Sequence, residues 1–302
     1  MGNSTPTYLF SRSLKTSEMP KVDYIKKVVW LASYPKSGNT WFRAFLTALK
    51  YQPKHRVDIN NMFPTTIASN RDLFDNIAGV PSSDLTSNEI DNLRPLVYRQ
   101  NALESTDLIF HKIHDAWKLL NNGIAMFPED ITKTVIYFIR NPLDVVVSFS
   151  HHLSINIDKT IDIMNDPDYA FCHQKNRLHN QLKQNLNTWS GHVKSWVDNS
   201  GLPVLVIRYE DMKTDPVSTF SQAVSLIELN VSPTQIEIAI EKSSFNKLKQ
   251  QEGEYGFSEK NIKADSFFRK GEVGNWKTVL SPIQVKRIVN EHHVMMSRFG
   301  YL

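Results

Sequence analysis

The chain has 302 residues, of which 41% are hydrophobic and 22% are charged, a composition that excludes a disordered or collagen-like protein. A chain of this length buries about three quarters of its unfolded surface, so it needs no disulfides or structural metals to fold. Its one cysteine, Cys172, excludes an intrachain disulfide and a cysteine-rich zinc site, and it predicts a cytoplasmic location. No apolar run approaches the roughly 18 residues of a membrane-spanning helix, and residues 1–24 do not resemble a secretion signal. The sequence therefore predicts no membrane partner.

The net charge is +4, which raises the question of a nucleic-acid partner. Residues 1–40 hold six basic and two acidic side chains, which accounts for the whole excess. A nucleic-acid-binding domain usually carries a basic face within its folded body. The charge distribution therefore predicts no nucleic-acid partner, and any anion site must be local.

Residues 1–24 are predicted to form a polar arm, and residues 25–302 a single folded domain. Residues 28–32 are a continuous apolar run of strand length, typical of a strand buried on both faces. A polar loop follows at residues 33–39, and apolar side chains then recur at helical spacing from Trp41 to Leu49.

The same order of strand, polar loop and helix recurs along the chain. Residues 134–139 form a second predicted strand that leads into Arg140, and residues 203–207 form a third that leads into Tyr209. A helix is predicted over residues 176–198 from a stripe of apolar side chains: Leu178, Leu182, Leu186, Trp189, Val193 and Trp196. Strands that alternate with helices predict an α/β domain with a central parallel β-sheet flanked by helices. Ligands of such sheets bind beyond the carboxyl ends of the strands.

The loop after the first strand reads Tyr-Pro-Lys-Ser-Gly-Asn-Thr-Trp over residues 34–41. A loop that opens a helix presents free backbone N–H groups and the positive end of the helix dipole to an anion. Gly38 permits close approach to the backbone, Lys36 adds a charge and Thr40 a hydroxyl. An ordinary turn with a solvated lysine is the alternative interpretation. No Gly-Lys-Ser/Thr follows, which disfavours a Walker-type kinase.

Two further groups of basic residues are candidate anion ligands. Arg140 is followed eight residues later by Ser148, about two helical turns along the same face. Arg269 and Lys270 precede Gly271 in a later loop. Taken alone, Arg140 is equally compatible with a surface ion pair, and Arg269 and Lys270 with a solvated basic pair.

Residues 108–114 are a candidate strand that carries the possible base. In a strand, Lys112 and His114 share one face, whereas His111 lies on the other. A lone histidine is more often structural than catalytic, and we keep that interpretation for His111. The adjacent pairs at residues 151–152 and 292–293 have side chains that point apart, so no metal site is predicted.

These motifs, in this order, resemble the PAPS-dependent sulfotransferases of the cytosolic and bacterial small-molecule type, over about residues 28–280. Residues 34–41 are similar to the family's P-loop-like phosphosulfate loop, residues 209–212 to a strand end, and residues 243–245 to its adenine-side segment. The resemblance implies the sulfotransferase fold. It also implies the donor 3′-phosphoadenosine 5′-phosphosulfate (PAPS), the product adenosine 3′,5′-bisphosphate (PAP) and no metal.

The resemblance also implies roles for individual residues. His114 would be the catalytic base, and Lys36 and Lys112 would stabilise charge on the transferring group. Adenine would lie between Trp41 and Phe245, near Tyr209. The residues expected to bind the donor are Lys36, Ser37, Gly38, Asn39, Thr40, Trp41, Arg140, Ser148, Tyr209, Ser243, Phe245, Phe267, Arg269, Lys270 and Gly271.

The sequence departs from the family pattern at several positions. Asn39 stands where threonine is frequent, and its amide is expected to donate to phosphate in the same way. Asn275 replaces a frequent aspartate. The base segment continues as Asp-Ala-Trp over residues 115–117, which predicts a remodelled acceptor side. The residues after Trp276 do not reproduce the family's dimer motif, so a monomer or weak homodimer is expected.

The predicted function is sulfuryl transfer to a hydroxyl or amine of a small-molecule acceptor, a secondary metabolite by analogy with bacterial members. The pocket walls are expected from residues 52–100, 149–180 and 246–266. Two rival functions remain open. A nucleotide kinase-like or nucleotide-binding protein of this fold would need no 3′-phosphate site, and a non-catalytic PAPS-binding module would bind PAP without turnover.

Overall fold

The computed structural model describes residues 26–51, 57–62, 65–174 and 178–302. The polar arm predicted for residues 1–24 lies outside these ranges. Within them, no helix combines the length and the apolar character that crossing a membrane requires.

A five-stranded parallel sheet forms the centre of the domain, with the strand order β2-β3-β1-β4-β7. Two short antiparallel strands, β5 and β6, pair separately. The strands are β1 Val28–Ser33, β2 Thr65–Ile67, β3 Ile109–Ile113, β4 Thr132–Ile139, β5 Ala170–Phe171, β6 Gln184–Asn185 and β7 Val204–Arg208. The strands predicted at residues 28–32, 134–139 and 203–207 are confirmed as β1, β4 and β7.

Helices cover both faces of the sheet, as the alternation of elements predicted. They are α1 Asn39–Lys50, α2 Arg71–Ala78, α3 Ser87–Glu104, α4 Pro142–Leu153, α5 Ile157–Met164, α6 Trp189–Val197, α7 Tyr209–Thr214, α8 Pro216–Leu226, α9 Pro233–Lys242, α10 Phe245–Tyr255 and α11 Pro282–Arg298. Two short 3-10 helices lie at Ser82–Asp84 and Asn275–Thr278.

The central strand β1 is buried along its whole length because its side chains alternate between two cores. Trp30 faces the core that α4, α6 and α11 complete. Leu31 faces the core that α1, α8 and α9 complete. This burial on both faces explains why the strand reads as an unbroken apolar run.

The helix predicted over residues 176–198 is wrong in its first half. Helix α6 begins only at Trp189, where the Thr188 side chain accepts from the Gly191 amide and caps the helix. Leu182 and Leu186 lie on either side of the short strand β6 and are buried, whereas Leu178 is 64% exposed. Leu182 packs in the small core around Phe74, away from the core that holds Leu186. The helical spacing of these leucines thus reflects separate tertiary contacts.

The carboxyl ends of β1, β4 and β7 meet at one edge of the sheet because the three strands are parallel neighbours. β1 leads into the loop before α1, β4 into Arg140, and β7 into Tyr209 at the start of α7. The three polar loops noted in the sequence therefore lie side by side, where a parallel sheet binds its ligands.

Candidate active site

A cavity of about 460 Å³ lies at this edge of the sheet. It brings together all the predicted site residues except Ser37 and Ser243. Its lining includes Lys36, Gly38, Asn39, Thr40, Trp41, Lys112, His114, Arg140, Ser148, Tyr209, Phe245, Phe267, Arg269, Lys270 and Gly271. Loops more than two hundred residues apart in the sequence thus share one cavity.

The backbone of the loop before α1 allows neighbouring groups to approach it closely. Gly38 is the N-cap residue of α1 and has a φ of 107°. A Cβ atom at this position would lie 2.9 Å from Cδ2 of Tyr209, so only glycine fits. Lys36 also has a positive φ, 70°, an unusual conformation for a lysine that turns the chain sharply within the loop.

The ammonium group of Lys36 is enclosed in the cavity. Its Nζ lies 3.6 Å from the centroid of the Phe267 ring, a cation–π contact. Burial, followed by the nearby charges of Lys112 and Arg140, lowers the pKa of Lys36 to about 7. The cavity therefore concentrates positive charge that an anionic ligand would stabilise.

Three polar side chains at the donor side differ from expectation. The Asn39 amide nitrogen donates to the carbonyl oxygen of Leu31 at 2.7 Å and lies 3.3 Å from Ser33 Oγ, so the amide expected on phosphate is held by β1. Asn39 is the first residue of α1, and its side chain turns back under the loop. Ser243 is fully buried, and its hydroxyl donates to Ile240 one turn earlier. Ser37 is likewise buried, outside the cavity lining.

Arg140 connects the loop before α1 to the loop of residues 267–276, called the late loop below. Its Nη1 donates to the carbonyl oxygen of Lys36 at 3.3 Å and its Nη2 to that of Glu272 at 2.8 Å. The guanidinium carbon lies 4.2 Å from the centroid of the Tyr209 ring. Within the described residues, its buried Nε has no hydrogen-bond partner. Arg140 therefore fixes both loops and keeps one N–H available for an acceptor.

The late loop is held by carboxylates that the sequence analysis did not identify. Asp144 accepts from the backbone amides of Gly274 at 2.7 Å and Trp276 at 3.0 Å. Glu252 accepts from the amides of Phe267 and Phe268. Asp144 lies on α4, four residues after Arg140 and in line with Ser148 and His152. This regular spacing of four residues is the sequence signal that could have identified Asp144.

The predicted adenine wall is assembled from three elements. Trp41 and Tyr209 meet edge to face with ring centroids 6.3 Å apart. Phe245 packs so closely on the late loop that a Cβ at Gly271 would lie 2.5 Å from its ring. Lys213, which the sequence analysis did not single out, places Nζ 5.5 Å from the Trp41 ring centroid and 6.0 Å from that of Phe245. The rings of Trp41, Tyr209 and Phe245 thus border the same part of the cavity.

His114 lies just beyond the end of β3. Its Nδ1 is 2.9 Å from the carbonyl oxygen of Ser33, so Nδ1–H donates and Nε2 is the basic nitrogen. Burial, and then the charge of Lys112, hold the pKa of His114 well below its ordinary value. At neutral pH the imidazole is therefore uncharged and able to accept a proton.

His111 lies on the opposite face of β3, as the alternation predicted. It is fully buried, stacked on Trp30 with ring centroids 5.3 Å apart. Its Nδ1 lies 2.9 Å from Thr66 Oγ1 and its Nε2 3.3 Å from Asn101 Nδ2. Burial lowers the pKa of His111 to about 4. His111 thus belongs to the core.

Lys112 is paired with a carboxylate that the sequence analysis missed. Glu259 Oε2 lies 2.7 Å from Lys112 Nζ, and Glu259 Oε1 lies 2.6 Å from Arg43 Nη1. Burial opposes ionisation of Glu259, but the two cations hold its pKa well below the ordinary value. Glu259 falls within the pocket wall expected from residues 246–266, although no local pattern distinguishes it from other acidic residues there.

One further part of the cavity wall carries apolar side chains. Ile67, Leu153 and Phe171 line it, together with His152 and Cys172. The rings of His114 and Phe171 are 6.4 Å apart, which places this wall beside the candidate base. Burial, and then the charges of Lys36 and Lys112, lower the pKa of His152 to about 3. Ile67 falls in the expected stretch 52–100 and the other four residues in the stretch 149–180, whereas Gln181 and Phe268, which also line the cavity, lie just outside the expected stretches.

No group of three or more histidine, cysteine, aspartate or glutamate side chains is placed to hold a metal ion within the described ranges. The cavity presents the cations of its lining, His114 and the backbone groups of its loops. Such a set suits an anionic substrate and a proton transfer.

The sequence pattern of the sulfotransferase domain matches residues 26–300, nearly the whole chain. The protein therefore belongs to the sulfotransferase family and is a transferase. The amine sulfotransferase of Oryctolagus cuniculus is 24% identical over 273 residues, which cover 86% of this chain and 77% of that enzyme. Cytosolic sulfotransferase 15 of Arabidopsis thaliana is 26% identical over 271 residues, which cover 86% of this chain and 69% of that protein.

Solved structures show the same fold. Mouse sulfotransferase SULT7A1 complexed with PAP superposes with a TM-score of 0.58 at 18% identity, over 91% of this chain and 86% of that chain. Retinol dehydratase in complex with androsterone and the inactive cofactor PAP gives a TM-score of 0.60 at 18% identity, over 90% of this chain and 81% of that chain. These similarities confirm the sulfotransferase fold.

Proposed function

We propose that the protein transfers the sulfuryl group of PAPS to a hydroxyl or amine of a small-molecule acceptor. The observation that carries the proposal is the bridge made by Arg140 between the backbones of Lys36 and Glu272. It places two cationic loops at one cavity, and PAPS has two separate anionic groups. The crystal structures of SULT7A1 and retinol dehydratase contain PAP, which supports this donor.

In this proposal the 5′-phosphosulfate of the donor lies on the loop with Lys36, Gly38 and Thr40. The 3′-phosphate lies against Arg140 and Ser148 and under the late loop with Arg269 and Lys270. Adenine occupies the space bordered by Trp41 and Phe245. A buried polar atom supports the fit, since Arg140 lines the cavity and its Nε has no partner within the described residues. The site requires no metal.

The donor supplies an activated sulfuryl group. Nε2 of His114 accepts the proton of the acceptor hydroxyl or amine as that atom attacks sulfur. The new bond to sulfur forms in line with the breaking bond between sulfur and the bridging oxygen, whose electrons remain on the departing PAP. Lys36 and Lys112 stabilise the negative charge on the transferring group and on the leaving oxygen, as cations do in phosphoryl transfer.

The acceptor side supports a small, largely apolar acceptor because Ile67, Leu153 and Phe171 line it. Retinol dehydratase has been crystallised with androsterone and with retinol, and such acceptors suit an apolar wall. We extend the proposal to a secondary metabolite as acceptor, a cytoplasmic location and a monomer or weak homodimer. Relatives named cytosolic sulfotransferases support the location.

Incubation with radiolabelled PAPS and a panel of hydroxyl- and amine-bearing acceptors tests the proposal. We expect label to move to an acceptor with one equivalent of PAP formed. PAPS binding without transfer to any acceptor would favour the non-catalytic binding module. Failure to bind PAPS would overturn the proposal altogether.

A further inference from the structure

The proposed reaction assigns no role to the carboxylate of Glu259. Each of its oxygens has a separate partner, Oε2 with Lys112 Nζ at 2.7 Å and Oε1 with Arg43 Nη1 at 2.6 Å. Its side chain is 28% exposed and lines the cavity. A carboxylate beside a catalytic lysine, in a site for an anionic donor, requires an explanation.

Arg43 holds this carboxylate independently of Lys112. Arg43 belongs to α1, its side chain is 6% exposed, and its Nε donates to Thr65 Oγ1 at 2.7 Å. The guanidinium is therefore fixed at two points. Glu259 can keep its position through Oε1 while the partner of Oε2 changes.

Lys112 needs an anionic partner at every stage. Its side chain is only 12% exposed, and an unpaired ammonium in such surroundings is strongly unfavourable. Lys36 lies in the same cavity, and the charge of Lys112 contributes to lowering the pKa of Lys36. A negative charge beside Lys112 therefore offsets the repulsion between its ammonium group and the protonated form of Lys36 before the donor arrives.

On the basis of the proposed function, we infer that Glu259 is a positioning residue for Lys112, which exchanges the carboxylate for the sulfuryl group of PAPS when the donor binds. The sulfuryl group carries one negative charge, as the carboxylate does, so Lys112 stays paired. Once the sulfuryl group leaves on the acceptor, Lys112 returns to Glu259. Glu259 thus competes with the sulfuryl group of PAPS but not with PAP, which lacks that group.

The replacement Glu259→Gln tests the exchange because glutamine keeps the shape and removes the charge. Titration calorimetry with PAPS should show a Kd about fivefold lower than that of the wild type, the upper range for a partly shielded ion pair. The Kd of PAP should stay within about twofold. In the background Lys112→Met, Glu259→Gln should leave the ratio of the two affinities unchanged.

The matched control is Glu228→Gln, which removes the same charge from an ion pair with Lys133. It should change neither Kd. If Glu259→Gln fails to fold because Arg43 loses its partner, the double variant Arg43→Gln/Glu259→Gln removes both charges of that pair. It should show the same selective gain for PAPS.

Equal changes for PAPS and PAP would mean that Glu259 acts only through general repulsion of anions, and would overturn the inference. Weaker PAPS binding, or no change for either ligand, would overturn it as well. If wild-type protein binds no PAPS, the proposed function itself fails. If the wild type binds and turns over PAPS but Glu259→Gln does not change the ratio of the PAPS and PAP affinities, only this inference fails.

Discussion

The Nδ1 of His114 lies 2.9 Å from the carbonyl oxygen of Ser33, the last residue of β1. β1 and β3 are adjacent parallel strands, so their carboxyl ends meet. The sheet itself therefore orients the imidazole and selects Nε2 as the basic nitrogen. On the proposed mechanism, the fold prepares the base before either substrate binds.

Replacing His114 separates proton transfer from donor binding. His114→Ala should reduce turnover roughly 10²- to 10⁴-fold, the usual contribution of a general base. The Kd of PAP should change by no more than about threefold, because the acceptor proton takes no part in donor binding. Steady-state kinetics and calorimetry measure the two quantities on the same preparation.

His111→Ala is the matched control because it removes the same side chain from the other face of β3. It should lower stability by a few kcal/mol, since it empties a core position beside Trp30. The folded fraction should keep its turnover. Loss of turnover in folded His111→Ala, with His114→Ala fully active, would show that the base is misassigned.

Donor choice separates a sulfotransferase from a kinase-like protein. PAP should raise the melting temperature by several degrees, because a ligand at a hundredfold excess over its Kd adds about 2.7 kcal/mol. ATP and ADP should raise it far less, since neither carries a 3′-phosphate. Equal shifts in differential scanning fluorimetry would contradict the assignment of Arg140 and the late loop.

The late loop should recognise the 3′-phosphate and little else. The double variant Arg269→Ala/Lys270→Ala should weaken the binding free energy of PAP by about 2–3 kcal/mol, the effect of losing charge-assisted hydrogen bonds. Binding of adenosine 5′-phosphosulfate, which lacks the 3′-phosphate, should barely change. Calorimetric titration of both ligands measures the difference.

Lys260→Ala/Lys263→Ala is the control for the late loop. It removes the same net charge from the same segment, at positions that do not line the cavity. It should leave both affinities near those of the wild type. If Arg269→Ala/Lys270→Ala lowers the affinity for both ligands equally, the late loop closes the cavity as a whole and does not recognise the 3′-phosphate.

The sequence predicted most of the sheet because buried parallel strands leave continuous apolar runs, as β1 and β4 do. The alternation along β3 also predicted that Lys112 and His114 share one face and His111 the other, and the structure shows that Lys112 and His114 line the cavity. The same kind of reasoning failed over residues 176–198. There, Leu182 and Leu186 at helical spacing pack into different cores.

The pairing of Lys112 with Glu259 could not be predicted from the sequence. The two residues are 147 positions apart, and the loop that carries Glu259 is placed by tertiary contacts. Asn39 shows a different limit. Its residue type suits a phosphate ligand, but the carbonyl of Leu31 holds its amide nitrogen, and only the folded backbone reveals that competing acceptor.

We expect the charge of Lys36 to make donor binding depend on pH. In the donor-free protein its pKa is lowered from 10.5 to about 7, chiefly by burial. Between these values the unfolded chain binds the proton and the folded protein does not, so this group makes the fold more stable as pH rises. An anion bound beside Lys36 reverses the balance, because it favours the ammonium form.

Binding of PAP at pH 8 should therefore take up protons, and its affinity should fall as pH rises above about 7. Calorimetry in buffers of different ionisation enthalpy gives the number of protons taken up. Lys36→Met, which keeps an apolar side chain over Phe267, should lose this uptake and retain only the contribution of the ligand's own phosphates. Equal uptake by the wild type and Lys36→Met would show that Lys36 is already charged in the donor-free protein.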